Sequence, residues 1–398
     1  MSATLHINQS DLAAPPVMAT LGQRSLVIGL VFVVVCAFGA FTSPHTFYSA
    51  YLTAYMEWLG VTLGCMVILM LQHMTGGAWG LVIRRVMEAA VGTLPLMAVL
   101  FIPVVLGIPY LYVWAQPQAL AKDVPLQQIA HSYLNAGGFV TRAVIYFALW
   151  GAIAFFLLRW SAEQDTSSQQ STLRFRVVSG PGILIYALTI SFASVDWVMS
   201  LQARWVSTIY GMMFIAGQVL AGFCFVVVME TILSKRKPMS EYLHPKEIHD
   251  HGKLILAFVM VWAYFNFSQW LIIWNGNLPD EIPWYLRRLN GGWAAVGLAL
   301  VIFHFVAPFV MLLGRQFKRR TRTMVWIAAM LLVMRYVDLW WHIEPVFSPT
   351  IRVTLWTIAC PLAIGGIWLW LFARNLRQRP LLPLYAPHVR ELLEPAHE

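Results

Sequence analysis

The sequence predicts an all-α polytopic membrane protein with ten transmembrane helices, arranged as two four-helix bundles and two flanking helices. Of its 398 residues, 59% are hydrophobic and only 11% are charged, whereas soluble domains have roughly 45–50% apolar and about 25% charged residues. A helix needs ~20 apolar residues to cross a bilayer, and the chain contains ten apolar runs of about this length. This composition excludes an ordinary cytosolic enzyme, a disordered chain and a secreted disulfide scaffold.

The predicted spans follow one another through mostly short polar connections. In chain order they are 26–42, 49–73, 88–108, 139–160, 179–200, 206–233, 253–274, 291–314, 324–342 and 353–373. The predicted parts of the chain are an N-terminal segment 1–25, a transmembrane domain 26–374 and a C-terminal tail 375–398. The polar start lacks the basic region of a signal peptide, so we expect the first run to be a retained helix.

The distribution of basic residues predicts which loops face the cytoplasm. When the loops are assigned alternately to the two sides, 20 of the 27 lysines and arginines fall on one side and five on the other. The remaining two, Arg142 and Arg335, lie within spans. Cytoplasmic loops carry such an excess of basic residues, so both termini are predicted to be cytoplasmic. The net charge of +9 therefore reflects orientation in a lipid membrane, and no nucleic-acid partner is expected.

An internal repeat supports the division into two bundles. Asp196 near the end of the fifth span recurs 142 residues later as Asp338 in the ninth, and each follows a valine. Arg142 has a counterpart in the pair Arg287-Arg288 at nearly the same offset. The repeat places the two four-helix bundles at about 49–200 and 206–342, with the first and tenth spans as flanking helices.

The ninth span carries the most notable set of polar side chains. Arg335, Asp338 and His342 are spaced i, i+3 and i+7, which places all three on one face of a helix. A charge near the bilayer centre costs ~2.5–3.5 kcal/mol even on lenient insertion scales, and pairing of Arg335 with Asp338 would lower that cost. The spacing leaves two interpretations open, an ion pair that locks the bundle or a functional site.

Other spans carry further polar groups. Asp196 could pair with Arg142, accept a proton or bind a ligand headgroup, and Glu57 lies beside an aromatic stripe that either packs in the core or forms a wall for a quinone ring. Acids and histidines on both halves of a membrane can be bridged by water into a proton route. The candidates for a quinone pocket or a proton route are Glu57, Arg142, Asp196, His304, Arg335, Asp338 and His342.

No motif predicts a catalytic residue or a redox centre in this chain. The four cysteines all lie within apolar runs and form no CxxC or CxxCH pattern, so local motifs for iron–sulfur clusters and c-type haem are excluded. The stretch from His244 to His251 is the one histidine cluster, and its spacing matches no known metal motif. We interpret it as a solvated loop or a subunit contact, and no metal ligand is predicted.

Three segments resemble one family of membrane subunits. They read DHGKLILAFVMVWAYFNFSQWLIIWNGNLPDEIPWYLRR (250–288), SVDWVMSLQARWVSTIYGMMFIAGQ (194–218) and MRYVDLWWHIEP (334–345). They are similar to the corresponding segments of the F subunit of bacterial alternative complex III, a relative of the NrfD-type membrane subunit of polysulfide reductase. The resemblance is strong over residues 178–345, and it implies two four-helix bundles with two flanking helices, in agreement with the repeat.

The resemblance also implies a role, as an integral subunit of a respiratory quinol-oxidising complex in the bacterial inner membrane. Such a subunit supports assembly and could take part in quinone binding or proton translocation, with no redox centre of its own. Haem c and iron–sulfur clusters would lie on partner subunits, a haem c protein and an iron–sulfur protein. A sister NrfD-like subunit would hold the main quinol site.

An independent proton-coupled secondary transporter is the alternative function. Pro181, Pro308 and Pro361 lie inside spans and could mark broken helices of the transporter kind, although prolines are common in transmembrane helices. Interrupted segments at matching positions of the two repeats are not evident in the sequence. A transporter should be stable when purified alone, whereas a complex subunit should be recovered with its partners.

Overall fold

The computed structural model describes residues 12–165, 172–383 and Val389. The described part is 83% helical and contains no strand. Within these residues ten helices are long and apolar enough to cross a membrane, which confirms the predicted fold class. They are α1 Val17–Thr42, α2 Pro44–Thr75, α3 Ala78–Leu106, α4 Ala136–Gln164, α5 Leu173–Trp197, α6 Tyr210–Leu233, α7 Pro245–Gly276, α8 Trp293–Leu313, α9 Thr321–Ile343 and α10 Leu355–Arg377.

Several helices begin well before the apolar run that predicted them. α1 starts at Val17 rather than at 26, α3 at Ala78 rather than at 88, and α7 at Pro245 rather than at 253. Hydropathy marks the part of a helix that lies in lipid, whereas the end of the helix depends on capping. At α7 the Glu247 carboxylate accepts a hydrogen bond from the His244 N–H at 3.1 Å, and proline in the first turn suits a helix start.

The packing follows the predicted plan of two bundles and two flanking helices. In the first bundle α2 packs against α3 and α5, and α4 packs against α5 and the middle of α3. In the second, α6 packs against α7 and α9, while α8 contacts both α7 and α9. The flanking helices α1 and α10 pack along each other, and α10 also contacts α2.

The two bundles meet at α2 and α6, the most buried helices of the ten. Gly64 of α2 and Gly222 of α6 lie at their crossing, and a methyl group on either would overlap the main chain of the other helix. Small residues allow helix backbones to approach closely in membranes, where dispersion contacts drive association. The crossing therefore depends on the absence of a side chain at these two positions.

The helix α3 is broken into the segments Ala78–Val91, Leu94–Val99 and Ile102–Leu106. The breaks free main-chain carbonyls, which must find donors because lipid provides none. The Tyr55 hydroxyl donates to the Met97 carbonyl at 3.0 Å, and the Tyr51 hydroxyl donates to that of Leu100 at 2.7 Å. Part of the aromatic stripe on α2 thus completes the hydrogen bonding of a discontinuous helix.

A proline in α10 is accommodated in the same way. Pro361 has no N–H, so the carbonyl of Thr357, four residues earlier, loses its helical donor. The Tyr336 hydroxyl of α9 donates to this carbonyl at 2.7 Å. Trp58 of α2 donates its indole N–H to the Pro361 carbonyl at 3.0 Å. Side chains of neighbouring helices therefore satisfy the backbone around the proline.

Candidate functional site

The predicted ion pair on α9 is confirmed and lies at the centre of a buried cluster in the second bundle. Arg335 Nη1 is 2.5 Å from Asp338 Oδ2, and the two side chains are 4% and 1% exposed. The Trp262 indole of α7 donates to the same carboxylate oxygen at 3.2 Å. The other oxygen, Oδ1, accepts no hydrogen bond, and His342 Nε2 lies 3.6 Å from it. Asp338 therefore keeps one acceptor available.

Arg335 is held on its other side by α6 and α2. Its guanidinium lies 5.5 Å from the centre of the Phe214 ring, and a methyl group at Gly217 would overlap it. Glu57 of α2, a buried carboxylic acid, interacts electrostatically with both Arg335 and Asp338. The structure thus brings Glu57 to the ninth-span cluster, a proximity that the sequence pattern did not specify.

His342 and Arg288 close the cluster at the end of α9. Tyr210 lies within hydrogen-bonding distance of His342 Nδ1, at 3.4 Å. Arg288 donates to the main-chain carbonyls of Trp341 at 3.0 Å, Trp284 at 2.8 Å and His342 at 2.5 Å. Burial lowers the pKa of Arg288 to about 9, so its cation persists at neutral pH. This cation caps the partial negative charge at the carbonyl end of α9.

His304 joins the cluster through a local distortion of α8. Residues Val301–Val306 form a π-helical segment, a feature common at functional positions. His304 is fully buried, and its ring stacks on Trp262 with centroids 4.2 Å apart and an angle of 4° between the planes. Neither ring nitrogen makes a hydrogen bond of ordinary geometry. His304 therefore borders the cluster through the indole that binds Asp338.

An apolar cleft of about 740 Å³ leads to this cluster between α7 and α8. α7 packs against α8 along residues 301–313, and the cleft lies beside the other half of α8. Its outer walls include residues exposed on the lipid-facing surface, among them Tyr264, Phe267 and Leu298. Its polar lining includes Asp338 and Arg288. The cleft could accommodate an elongated apolar molecule with a small polar head.

The first bundle contains a pair of Arg142 and Asp196, one of the alternatives that the sequence left open. Asp196 is fully buried, and its Oδ2 accepts from Arg142 Nε at 2.9 Å and from the Tyr146 hydroxyl at 2.8 Å. The Arg142 guanidinium lies 3.9 Å from the centre of the Tyr133 ring. Burial and the negative charge of Asp196 raise the pKa of Tyr133 to about 12, so its hydroxyl stays protonated.

The two halves of the sequence repeat thus differ in their ion pairs. Asp196 pairs with Arg142 on a neighbouring helix, whereas Asp338 pairs with Arg335 on its own helix. Arg288, the counterpart of Arg142 at nearly the same offset, binds carbonyls instead. The two sets of candidates therefore form separate sites, one in each bundle.

The histidine stretch that begins α7 has a structural explanation. His251 is fully buried, with Nδ1 2.9 Å from Glu230 Oε2 and Nε2 2.8 Å from the Trp79 carbonyl oxygen. No set of three or more His, Cys, Asp and Glu side chains within the described ranges is placed to hold a metal ion. The stretch is part of a helix and its N-cap, so a solvated loop, one of the two interpretations of the sequence, is wrong, whereas the subunit contact stays a prediction.

Sequence reasoning missed three members of the second-bundle cluster. Trp262 and Tyr210 lie in apolar runs rich in aromatic residues, so no local signal distinguishes them. The repeat singled out Arg288 as the counterpart of Arg142, but it did not predict its burial. The short helix Pro283–Leu289 places the Arg288 guanidinium against the main-chain carbonyls at the end of α9. This guanidinium lies 3.5 Å from the centre of a Trp284 ring and 5.3 Å from that of Trp341, and the second of these contacts joins residues 53 positions apart.

Ten spanning helices define the chain as a multi-pass membrane protein. The model library of protein families contains no match to it, and no curated protein matches its sequence. The family and the function of the chain must therefore be inferred from the residues of the site and from the resemblance of the three segments to the F subunit of alternative complex III.

Proposed function

We propose that the chain is an integral membrane subunit of a respiratory quinol-oxidising complex, of the F-subunit type of alternative complex III. We place it in a bacterial inner membrane with both termini in the cytoplasm. One observation carries the proposal: the three segments of the resemblance supply most of the second-bundle cluster. Segment 194–218 supplies Tyr210, Phe214 and Gly217, segment 250–288 supplies Trp262, Trp284 and Arg288, and segment 334–345 supplies Arg335, Asp338 and His342.

The chemistry of the α7–α8 cleft supports a quinone or quinol as its ligand. A quinone joins a flat ring with two oxygens to a long apolar tail, and the cleft joins an apolar channel to two polar groups at its lining. A quinol hydroxyl could donate to Asp338 Oδ1, which accepts no hydrogen bond from the protein. Arg288 would provide positive charge beside a quinone oxygen. Electrons would leave to haem c or iron–sulfur centres on partner subunits.

Co-purification tests the assembly. We expect the full chain, extracted from its native membrane in mild detergent, to be recovered with multihaem cytochrome and iron–sulfur subunits. Haem absorption spectra, iron analysis and mass spectrometry of the partners provide the measurement. Recovery of a stable, colourless single protein would contradict the proposal and favour a transporter.

Obstruction of the cleft tests the quinone site separately. Leu298 lies on the outer wall of the cleft, and Leu298→Trp would fill part of that volume. We expect quinone retained per chain, measured by solvent extraction and chromatography of the purified complex, to fall about tenfold, equivalent to ~1.4 kcal/mol of binding free energy. Leu271→Trp, a lipid-facing position of α7 outside the cleft, is the matched control. Equal retention in both variants would exclude the cleft as the binding site.

A proton-coupled secondary transporter is the second candidate, favoured by the breaks in α3. Transporters bind substrate at discontinuous helices that occupy corresponding positions of two repeats. The counterpart of α3 in the second bundle is α7, which is one uninterrupted helix from Pro245 to Gly276. The interruptions therefore do not recur in the repeat, and the subunit function has the better support.

A further inference from the structure

A second buried cluster of charges lies at the end of the first bundle, on the side that carries most of the basic residues. Arg84 and Arg85 of α3 both bind Glu88, with N–O distances of 2.8 and 2.6 Å, and all three side chains are at most 4% exposed. Arg85 also pairs with Asp165 at the end of α4. Arg379, just beyond α10, approaches Glu88 to 3.7 Å. The cluster therefore joins α3, α4 and α10.

The cluster holds more cations than anions. Its described members are the three guanidinium groups of Arg84, Arg85 and Arg379 and the two carboxylates of Glu88 and Asp165. Two buried donors remain without a hydrogen-bond acceptor, Arg85 Nε and Arg379 Nη1. A buried charged donor without a partner is costly, so the arrangement favours an additional anion.

A small cavity lies beside these arginine side chains. It has a volume of about 150 Å³, and its lining includes Arg85, Glu88 and Arg379. Glu88 does not oppose an anion strongly, because its oxygens already accept from Arg84, Arg85 and the Ser161 hydroxyl. The polar lining therefore offers an occupant two guanidinium groups, of Arg85 and Arg379, together with the amides of Asn375 and Gln378.

The cavity continues into an apolar groove along α3 and α4. The groove has a volume of about 420 Å³ and shares Gly92, Leu158 and Arg379 with the cavity. Beyond this shared part its walls are almost wholly apolar and include Phe147 and Phe155. A methyl group at Gly151, in the floor of the groove, would meet no atom within 4 Å, so the groove has room for an alkyl chain.

We propose that this composite pocket binds an anionic phospholipid, with the phosphate at Arg85 and Arg379 and an acyl chain in the groove between α3 and α4. Guanidinium groups recognise phosphate through paired N–H donors, and basic pockets between transmembrane helices on the cytoplasmic side bind acidic lipid headgroups. Inorganic phosphate carries the same anionic group but has no acyl chain. Only a lipid would also fill the apolar groove, so an anionic phospholipid is the ligand that we propose. This site does not depend on the proposed respiratory function.

Native mass spectrometry of the full chain, with any partners that co-purify, tests the site. We expect added phosphatidylglycerol to bind more tightly than phosphatidylcholine at equal concentration. Arg379→Gln should weaken phosphatidylglycerol binding about tenfold, because it removes a charge-assisted contact. Arg377→Gln, an exposed arginine two residues earlier on α10, is the matched control for charge and should leave binding unchanged.

Filling the groove provides a second variant that leaves every charge in place. Gly151→Trp should weaken phosphatidylglycerol binding several-fold without loss of folded protein, whereas Gly276→Trp, at another position where a side chain meets no atom within 4 Å, should not. The proposal is wrong if the two phospholipids bind equally, if Arg379→Gln matches Arg377→Gln, or if Gly151→Trp has no effect. Displacement of the lipid by inorganic phosphate alone would identify a free-anion site instead.

Discussion

Asp338→Asn is expected to deplete the membrane of correctly folded chain. The substitution leaves Arg335 buried at 4% exposure without its carboxylate, and removal of one partner from a buried ion pair costs roughly 3–5 kcal/mol. Total stability of a domain is only about 5–15 kcal/mol. We expect a fall in the yield of monodisperse protein in fluorescence-detected size-exclusion chromatography, and a lower Tm for what remains.

Two further variants test whether the unpaired charge of Arg335 causes this loss of stability. Asp123 also pairs with an arginine, Arg204, but both side chains reach solvent. Asparagine can still accept the N-cap hydrogen bond that Asp123 accepts from Leu126, so Asp123→Asn should leave yield and Tm unchanged. The double variant Arg335→Leu with Asp338→Leu removes both charges, and we expect it to recover much of the stability, since well-packed apolar residues can replace buried ion pairs. Wild-type stability of Asp338→Asn would show that Arg335 does not depend on this carboxylate.

Gly64→Ala is expected to disrupt the contact between the two bundles. The added methyl group would overlap the Gln218 carbonyl of α6, and main-chain atoms cannot move aside as a flexible side chain can. Overpacking of a core costs about 1–3 kcal/mol and occasionally more, and the upper part of this range is expected because α2 and α6 are the most buried helices. The measurement is the Tm of the purified chain.

The same substitution at an open position provides the control. At Gly276, the last residue of α7, a methyl group meets no atom within 4 Å, so the substitution creates no overlap. We therefore expect Gly276→Ala to match the wild-type Tm. If Gly64→Ala behaves like Gly276→Ala, the helices can separate slightly without loss, and the close crossing is not essential.

The number of helices and one of the ion pairs could be predicted from the sequence for simple physical reasons. A bilayer requires long apolar runs whatever the tertiary structure, so each span leaves a local signal. Arg335 and Asp338 lie three residues apart on one helix, and helical geometry alone brings them together. For Arg142 and Asp196, a shared depth and opposite charge made pairing one of the alternatives, since a buried charge in a membrane needs a partner.

The basic cluster at Arg85 was not predicted, because Arg84 and Arg85 were assigned to a loop. In the structure α3 begins at Ala78, before the apolar run, and places both arginines inside the helix, where each donates to the Ser161 hydroxyl of α4. Hydropathy cannot distinguish an arginine in a loop from one buried by a neighbouring helix, since both appear outside the apolar run.

The ten spans and the Arg335–Asp338 pair follow from local patterns, because the bilayer imposes the same demands on every segment. Packing of separate helices decides the rest. Trp262 reaches Asp338 from α7, Arg288 reaches the end of α9 from a short helix between spans, and Tyr51 and Tyr55 satisfy the broken α3 from α2. These contacts join residues far apart in the chain, and they depend on how closely the helix backbones approach one another. At the crossing of α2 and α6 the close approach requires glycine at position 64, a requirement that exists only because another helix lies there.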